Sequence, residues 1–277
     1  MDYRIIADSC CDISEEMQKE TGIELVPLTV RIGDEEYVDD NTLDMKAFLQ
    51  HMKNSKNPPK TSCPSIYDFL QYFKDGDNIF VVTVTSKLSG TYNAAMQAKK
   101  MALEEFKGKF IHVFDSLSAV VGETMVHLKI HECIKNNLNN SDVIDKVNNY
   151  IKEMKTFFLL ESLDHLAKSG RLNPLIAKAA SVLSIKPIMG DKNGTIRLVD
   201  KPRGYERALK RLVDIIGEEG SRLEEKVLGI AHCNCYQRAL KLKELVMEKY
   251  LFKDVLIVEM GAVSSTYADQ GGIVIAF

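Results

Sequence analysis

No apolar run in this sequence approaches the ~20 residues needed to span a bilayer, so stable membrane insertion is not expected. No block of like charge is present either. With Lys+Arg at 36, Asp+Glu at 39 and a formal net charge of −3, the chain lacks the electrostatic footprint of a nucleic-acid or anionic-surface binder. The six cysteines (Cys10, Cys11, Cys63, Cys133, Cys233 and Cys235) are scattered through the 277 residues, which argues against a disulfide scaffold. The opening Met1-Asp2-Tyr3-Arg4 has no signal-peptide layout. Both features predict free thiols in a reducing cytoplasm.

Several catalytic signatures are also missing. There is no Gly-x-Gly-x-x-Gly or Walker loop for a nucleotide. Leu88-Ser89-Gly90 lacks the Gly-x-Ser-x-Gly elbow of a serine nucleophile, and no histidine has an obvious place as its base. His232-Cys233-Asn234-Cys235 has neither Cys-x-x-Cys spacing nor a second ligand pair, so a strand-end cluster with buried thiols is expected instead of zinc. His127 and His131 lie four apart beside Glu132 but without His-Glu-x-x-His order, and a solvated helix face is expected. Asp8 and Asp115 are possible acid/base groups, although an Asp at a strand end more often caps a turn. No metal and no cofactor are expected.

What remains is an ordinary composition, 45% hydrophobic and 27% charged, in a chain long enough for two domains. Short apolar runs alternate with helical patterns over residues 1–156. Strands are expected at 3–7, 24–32, 78–85 and 110–114, and helices at 14–21, 44–53, 66–74, 91–106, 120–135 and, N-capped by Ser141, 142–154; residues 54–65 read as a loop. This β-α order predicts a mainly parallel sheet covered by helices. Residues 157–277 differ. Strands at 185–189 and 195–199 flank Asp191-Lys192-Asn193-Gly194, a hairpin signal, and an Ala-rich helix is expected over 175–183. Helices at 204–218 and 236–249 and strands at 157–161, 226–231, 255–260 and 273–277 complete a more antiparallel, mixed α+β domain.

Hydroxyls gather where the first-half strands end: Asp8-Ser9, then Thr85-Ser86-Lys87-Leu88-Ser89-Gly90-Thr91, then Asp115-Ser116-Leu117-Ser118. In a parallel sheet these turns share the carboxyl edge, where ligands bind. Thr61-Ser62-Cys63-Pro64-Ser65 could join them. Neutral hydroxyl donors, backbone N–H groups near Gly90 and a helix starting at Thr91 suit an anion of modest charge, such as a carboxylate. Serines at such positions also serve as turn caps, and for any one of them capping is the commoner role. Apolar side chains in 120–130 and 175–183 could line a tunnel or form plain core.

The motifs Asp8-Ser9, Asp12, Thr61-Ser62-Cys63-Pro64-Ser65, Ser86 through Ala95, Asp115-Ser116 with Gly122, Ser169-Gly170-Arg171 and Lys186-Pro187 occur in order along nearly the whole chain. In this the sequence resembles the DegV family of fatty-acid-binding proteins that serve bacterial fatty acid kinase. The resemblance implies a long-chain fatty acid buried between a parallel α/β domain and a mixed one, in a carrier that is not itself an enzyme. It implies that Thr61, Ser62, Ser89 and Gly90 hold the carboxylate, with Ser9 and Ser116 left as turn caps. It implies too that the bound ligand is phosphorylated by the separate kinase for phospholipid synthesis. Arg171, with Lys201, Arg203 and Arg207, matches positions facing that kinase or its product; an ordinary solvated helix start is the equal alternative for the last three. Where the family has Gln, this chain has Cys63. Where it has a histidine beside the carboxylate, this chain has Tyr267, with Asp269 replacing a glycine. A phenol can donate a hydrogen bond but has no cationic form. Two other readings stay open: an enzyme acting on a small acyl or phosphoryl substrate, and a lipid-sensing regulatory protein.

Overall fold

The computed structural model describes residues 3–176 and 184–277. Residues 177–183, most of the Ala-rich helix expected at 175–183, lie outside the described residues.

Four strands form an all-parallel N-terminal sheet in the order β2-β1-β6-β7: β1 (Tyr3–Asp8), β2 (Glu24–Val26), β6 (Asn78–Thr83) and β7 (Phe110–Asp115). Its middle strands are apolar on both faces, as a sheet covered on both sides requires. Side-chain alternation sends Ile5, Phe80, Val82 and Phe114 into one core. Ile6, Ile79, Val81, Ile111 and Val113 enter another; after α1 (Glu15–Thr21) and α2 (Met45–Asn54), α3 (Ile66–Tyr72) and α4 (Thr91–Glu105) pack outside it. A small antiparallel sheet, which the sequence reading did not anticipate, joins β3 (Thr29–Ile32) to β4 (Glu35–Val38) and β5 (Lys60–Ser62). Residues 54–65 are therefore not all loop. β4 follows β3 through a tight turn at Gly33-Asp34, whereas β5 is short and polar and pairs with β3 through long-range contacts that no local pattern encodes.

The C-terminal sheet has six strands in the order β10-β9-β8-β13-β11-β12. They are β8 (Thr156–Leu159), β9 (Ile188–Lys192), β10 (Thr195–Asp200), β11 (Val227–His232), β12 (Asp254–Glu259) and β13 (Ile273–Ala276). Only β11 and β12 run parallel; the other pairs are antiparallel. Residues 205–219 and 236–249 form helices whose apolar faces pack on one side of this sheet.

Between the two sheets lies α5 (Val121–Lys135), whose residues Val121 to His127 are all buried. It packs against β1 and β6 on one side and β11 and β13 on the other. A Cβ at Gly229 of β11 would come within 2.6 Å of Val121, so helix and strand touch here because glycine has none. A helix buried all round needs no amphipathic stripe. This overturns one expectation: His127 is fully buried, not on a solvated face, with Nε2 3.0 Å from Thr21 Oγ1. Burial pushes its pKa down to about 3. The cap of the following helix is also corrected. Asn139, not Ser141, accepts from the Asp142 amide, and the helix starts at Asn140.

Candidate functional site

The carboxyl ends of β1, β6 and β7 do share one edge, and the acidic groups there act as ties. Asp8 accepts from the amides of Cys10 (2.9 Å) and Val84 (2.8 Å), and Asp115 from those of Ser86 and Leu117. Burial raises Asp8 to about 6. Ser116 caps its own turn, donating to Ser118 O and accepting from Ser118 N. Ser9 does more than cap. Its hydroxyl accepts from the distant Leu28 amide and donates to Asp39 at 2.9 Å.

Thr61 lies in β5, paired with Val30. Its hydroxyl is 2.6 Å from the hydroxyl of Tyr267, 206 residues away in sequence. Tyr267 is carried by a helix over Ala262–Ala268 that the sequence reading missed. Ser264, Ser265, Thr266 and Gly261 are poor helix formers. The hydroxyls of Thr266 and Ser265 bond back to Ala262 O and Met260 O, a local bonding that disguises the helix in the sequence.

Ser89 and Gly90 form the bend before α4. Ser89 Oγ lies 2.8 Å from Thr91 Oγ1 and accepts from the Thr91 amide at 3.3 Å. Among the described residues it meets no histidine or carboxylate. Gly90 faces the Thr61 strand closely: a Cβ there would sit 3.4 Å from Cys63 Sγ. Arg171 links this bend to Tyr267. Its Nε donates to Leu88 O (3.2 Å), another nitrogen to Ser169 O (2.9 Å), and its guanidinium carbon is 5.9 Å from the centre of the Tyr267 ring. No carboxylate pairs with Arg171 among the described residues.

Two cavities meet at Tyr267. The inner one, about 110 Å³, is lined by Leu88, Leu117, Val120, Phe158, Leu160, Leu166, Ile196, Ala268 and Val274, with Thr85, Ser118, Thr156 and Asp191 also in its wall. Those polar groups are spent on each other or on backbone. Thr85 donates to Gly194 O, the Ser118 and Thr156 hydroxyls pair at 2.7 Å, and Asp191 accepts from the Thr156 amide. The space they leave is apolar. The outer cavity, about 310 Å³, is lined by Pro58, Pro59, Lys60, Thr61, His165, Lys168, Ser169, Arg171 and Tyr267. Three of these are Lys or Arg, so the outer side favours an anion. His165, which the sequence reading passed over, holds the far end of the Tyr267 helix through Thr266 O (2.7 Å) and lies 3.4 Å from Asp269. Burial raises the Asp269 pKa, and His165 and Lys168 oppose that rise.

Thr61, Arg171 and Tyr267 thus come together in the wall of the outer cavity, with the Ser89-Gly90 bend reached through Leu88 and Cys63; Ser89 and Gly90 themselves line neither cavity. Ser62, next along β5 and so on the opposite face from Thr61, is exposed and lines neither cavity. Arg203 is exposed and also lines neither, as are Lys201 and Arg207. No group of three or more His, Cys, Asp or Glu side chains suited to a metal occurs among the described residues. The His232 cluster is a strand end: Cys233 is buried and Nδ1 of His232 accepts from the Cys235 amide at 3.4 Å. No helix among the described residues is long and apolar enough to cross a membrane.

A family model for DegV proteins matches residues 2–277. A DegV domain-containing protein of Streptococcus gordonii is 34% identical over 280 residues, covering 100% of this chain and 99% of the relative. Among solved structures, a DegV family protein from Ruminococcus gnavus refined with vaccenic acid superposes with a TM-score of 0.95 at 39% identity, covering 99% of each chain. One from Eubacterium eligens loaded with heptadecanoic acid gives 0.92 at 33% identity and 99% of each chain. The Streptococcus pneumoniae fatty acid kinase B3 protein loaded with linoleic acid gives 0.91 at 30% identity, covering 100% of this chain and 99% of that one.

Proposed function

The chain belongs to the DegV family, and on that premise and the geometry above we propose that it binds a long-chain fatty acid with the carboxylate at Thr61, Ser89, Gly90 and Tyr267 and the acyl chain in the inner cavity. The observation that carries this reading is the position of Tyr267. It stands in the wall of an apolar cavity on one side and of a cationic one on the other, with its hydroxyl on Thr61. An amphiphile with an apolar tail and an anionic head fits that polarity. A carboxylate entering between the two hydroxyls accepts from both, which satisfies the requirement that a desolvated anion be hydrogen-bonded. Arg171 supplies charge nearby without a competing carboxylate.

In this reading the protein is a carrier of two domains, 1–156 and 157–277, and not a catalyst. Ser89 has hydroxyl and amide neighbours but no base to activate it. The relative from Streptococcus pneumoniae is a fatty acid kinase B3 protein, and a fatty acid kinase is the proposed partner, approaching from the outer cavity through Arg171. Ser62 and Arg203 have no part in the head-group site. Native mass spectrometry of gently purified protein tests the proposal. A retained or added mass equal to a C16–C18 fatty acid supports it. A clean apo mass with no uptake of added palmitate or oleate overturns it. Incubation of loaded protein with fatty acid kinase and ATP tests the partner, read as acyl phosphate formation.

A further inference from the structure

The helix over Ala262–Ala268 that carries Tyr267 has no cap of its own. Its N-cap residue, Gly261, provides no side-chain acceptor, so the amides of its first turn need partners from elsewhere. They find them in the first 40 residues of the chain. Asp39 accepts from Ala262 N at 2.6 Å and from Val263 N at 3.1 Å, one carboxylate oxygen to each. Asp12 accepts from Gly261 N at 2.8 Å. Both aspartates are buried. Asp39 is itself held by the Ser9 hydroxyl, which is pinned by the Leu28 amide. The fit leaves no slack: a Cβ on residue 261 would lie 2.9 Å from Asp39 Oδ1. Three consecutive amides of one segment are thus taken up by two carboxylates that are more than 220 residues away.

We propose that Asp39 and Asp12 are positioning residues for the carboxylate site: they clamp the start of the Tyr267 helix against the N-terminal part of the chain and thereby set the Tyr267 hydroxyl beside Thr61. The inference rests on the fatty-acid reading above and adds to it. The register of a seven-residue helix is set at its capped end, and Tyr267 lies five positions after Ala262, little more than one turn on. A shift of the first turn is therefore passed directly to the phenol. Neither aspartate lines the inner or the outer cavity, so neither touches the ligand; both act through Tyr267.

The test is a double-mutant cycle on full-length protein, with oleate displacing a fluorescent polyene fatty acid. Asp39→Asn keeps the size but presents an NH2 group to one of two amide donors. It is expected to weaken oleate binding about tenfold, the factor one good hydrogen bond supplies. In a Tyr267→Phe background the same substitution should change affinity less than about twofold, because the hydroxyl it positions is gone. Gly261→Ala, which crowds Asp39 without removing a charge, should reproduce the pattern and serves if Asp39→Asn does not fold. Asp39→Glu, which retains both acceptor oxygens, should recover part of the loss. Equal losses in both backgrounds overturn the inference, since a merely structural role would be additive. So does wild-type affinity in Asp39→Asn and Gly261→Ala alongside a weakened Tyr267→Phe. A wild-type protein that takes up no oleate at all overturns the fatty-acid reading instead.

Discussion

Replacing Tyr267 by Phe isolates the contribution of a single hydroxyl. In the unliganded chain that hydroxyl is bonded to Thr61 at 2.6 Å. Such a neutral pair is worth about 0.5–1.5 kcal/mol, whereas a hydroxyl donating to a carboxylate is worth about 1.5–3 kcal/mol. Tyr267→Phe forfeits the second in the complex and the first in the free protein. The net cost is about 1–1.5 kcal/mol, which is about 5- to 13-fold in Kd. Thr61→Val should cost a similar amount, and the double variant less than the sum, because the two hydroxyls share both partners. Tyr267→His sharpens the test. Binding of oleate to the wild type should vary less between pH 6 and 8 than binding to Tyr267→His, since a phenol gains no positive charge there. Tyr267→His should bind more tightly at pH 6 than at pH 8, as a histidine titrates near about 6.5. Titration calorimetry or probe displacement gives the constants. A Tyr267→Phe chain that binds oleate as the wild type does would refute the assignment of the head group to this end of the inner cavity.

Val274 lies in the wall of the inner cavity. Val274→Phe should displace the chain's last methylenes and cost about 0.8 kcal/mol for each, so oleate should weaken more than laurate in a displacement series. Cys63 is exposed, with Sγ 3.4 Å from where a Cβ on Gly90 would lie; alkylation with N-ethylmaleimide should reduce fatty acid uptake, and bound fatty acid should slow the alkylation, both read by intact mass. Glu123 is buried in α5 with neither carboxylate oxygen hydrogen-bonded among the described residues. Burial, then Asp8 and Asp12, pushes its pKa well up, and burial raises Asp8 from 3.8 to about 6. For both groups the folded chain binds protons more tightly than the unfolded one. Their stabilising contribution is full below pH 4 and is lost as pH rises through the folded values, for Asp8 amounting to about 3 kcal/mol by pH 7. Glu123→Gln should therefore stabilise the protein at pH 7.5 more than at pH 5 in urea unfolding.

Much of the fold could be read in the chain because it is written locally. The parallel order β1, β6 and β7 follows from apolar runs separated by amphipathic helices. The Asn193-Gly194 turn marks the hairpin of β9 and β10. The hydroxyl clusters at the strand ends do converge on one edge, and the family resemblance is what directs the proposed head-group site to Thr61 and Ser89. What escaped was long-range. Strand β5 is three polar residues that exist as a strand only because β3 offers a partner. The helix of Tyr267 is built from residues that disfavour helices and is held by carboxylates from far away. His127 is buried with its ring nitrogen on Thr21, 106 residues away in the chain. Ser62 was named beside Thr61, yet strand alternation turns the two to opposite faces.

Strand β13 occupies the middle of the six-stranded sheet, antiparallel to β8 on one side and to β11 on the other. During synthesis, β10-β9-β8 and β11-β12 can each form early, but each then presents a bare edge to the other until residues 273–276 are inserted. Val274 on that strand is also part of the inner cavity wall. The inner cavity is thus completed by the same late event that closes the sheet, and a partly made chain has open strand edges and an unfinished cavity wall. Pairings so far apart in sequence fold slowly. The interval before β13 docks is accordingly when this protein is most exposed to edge-to-edge association.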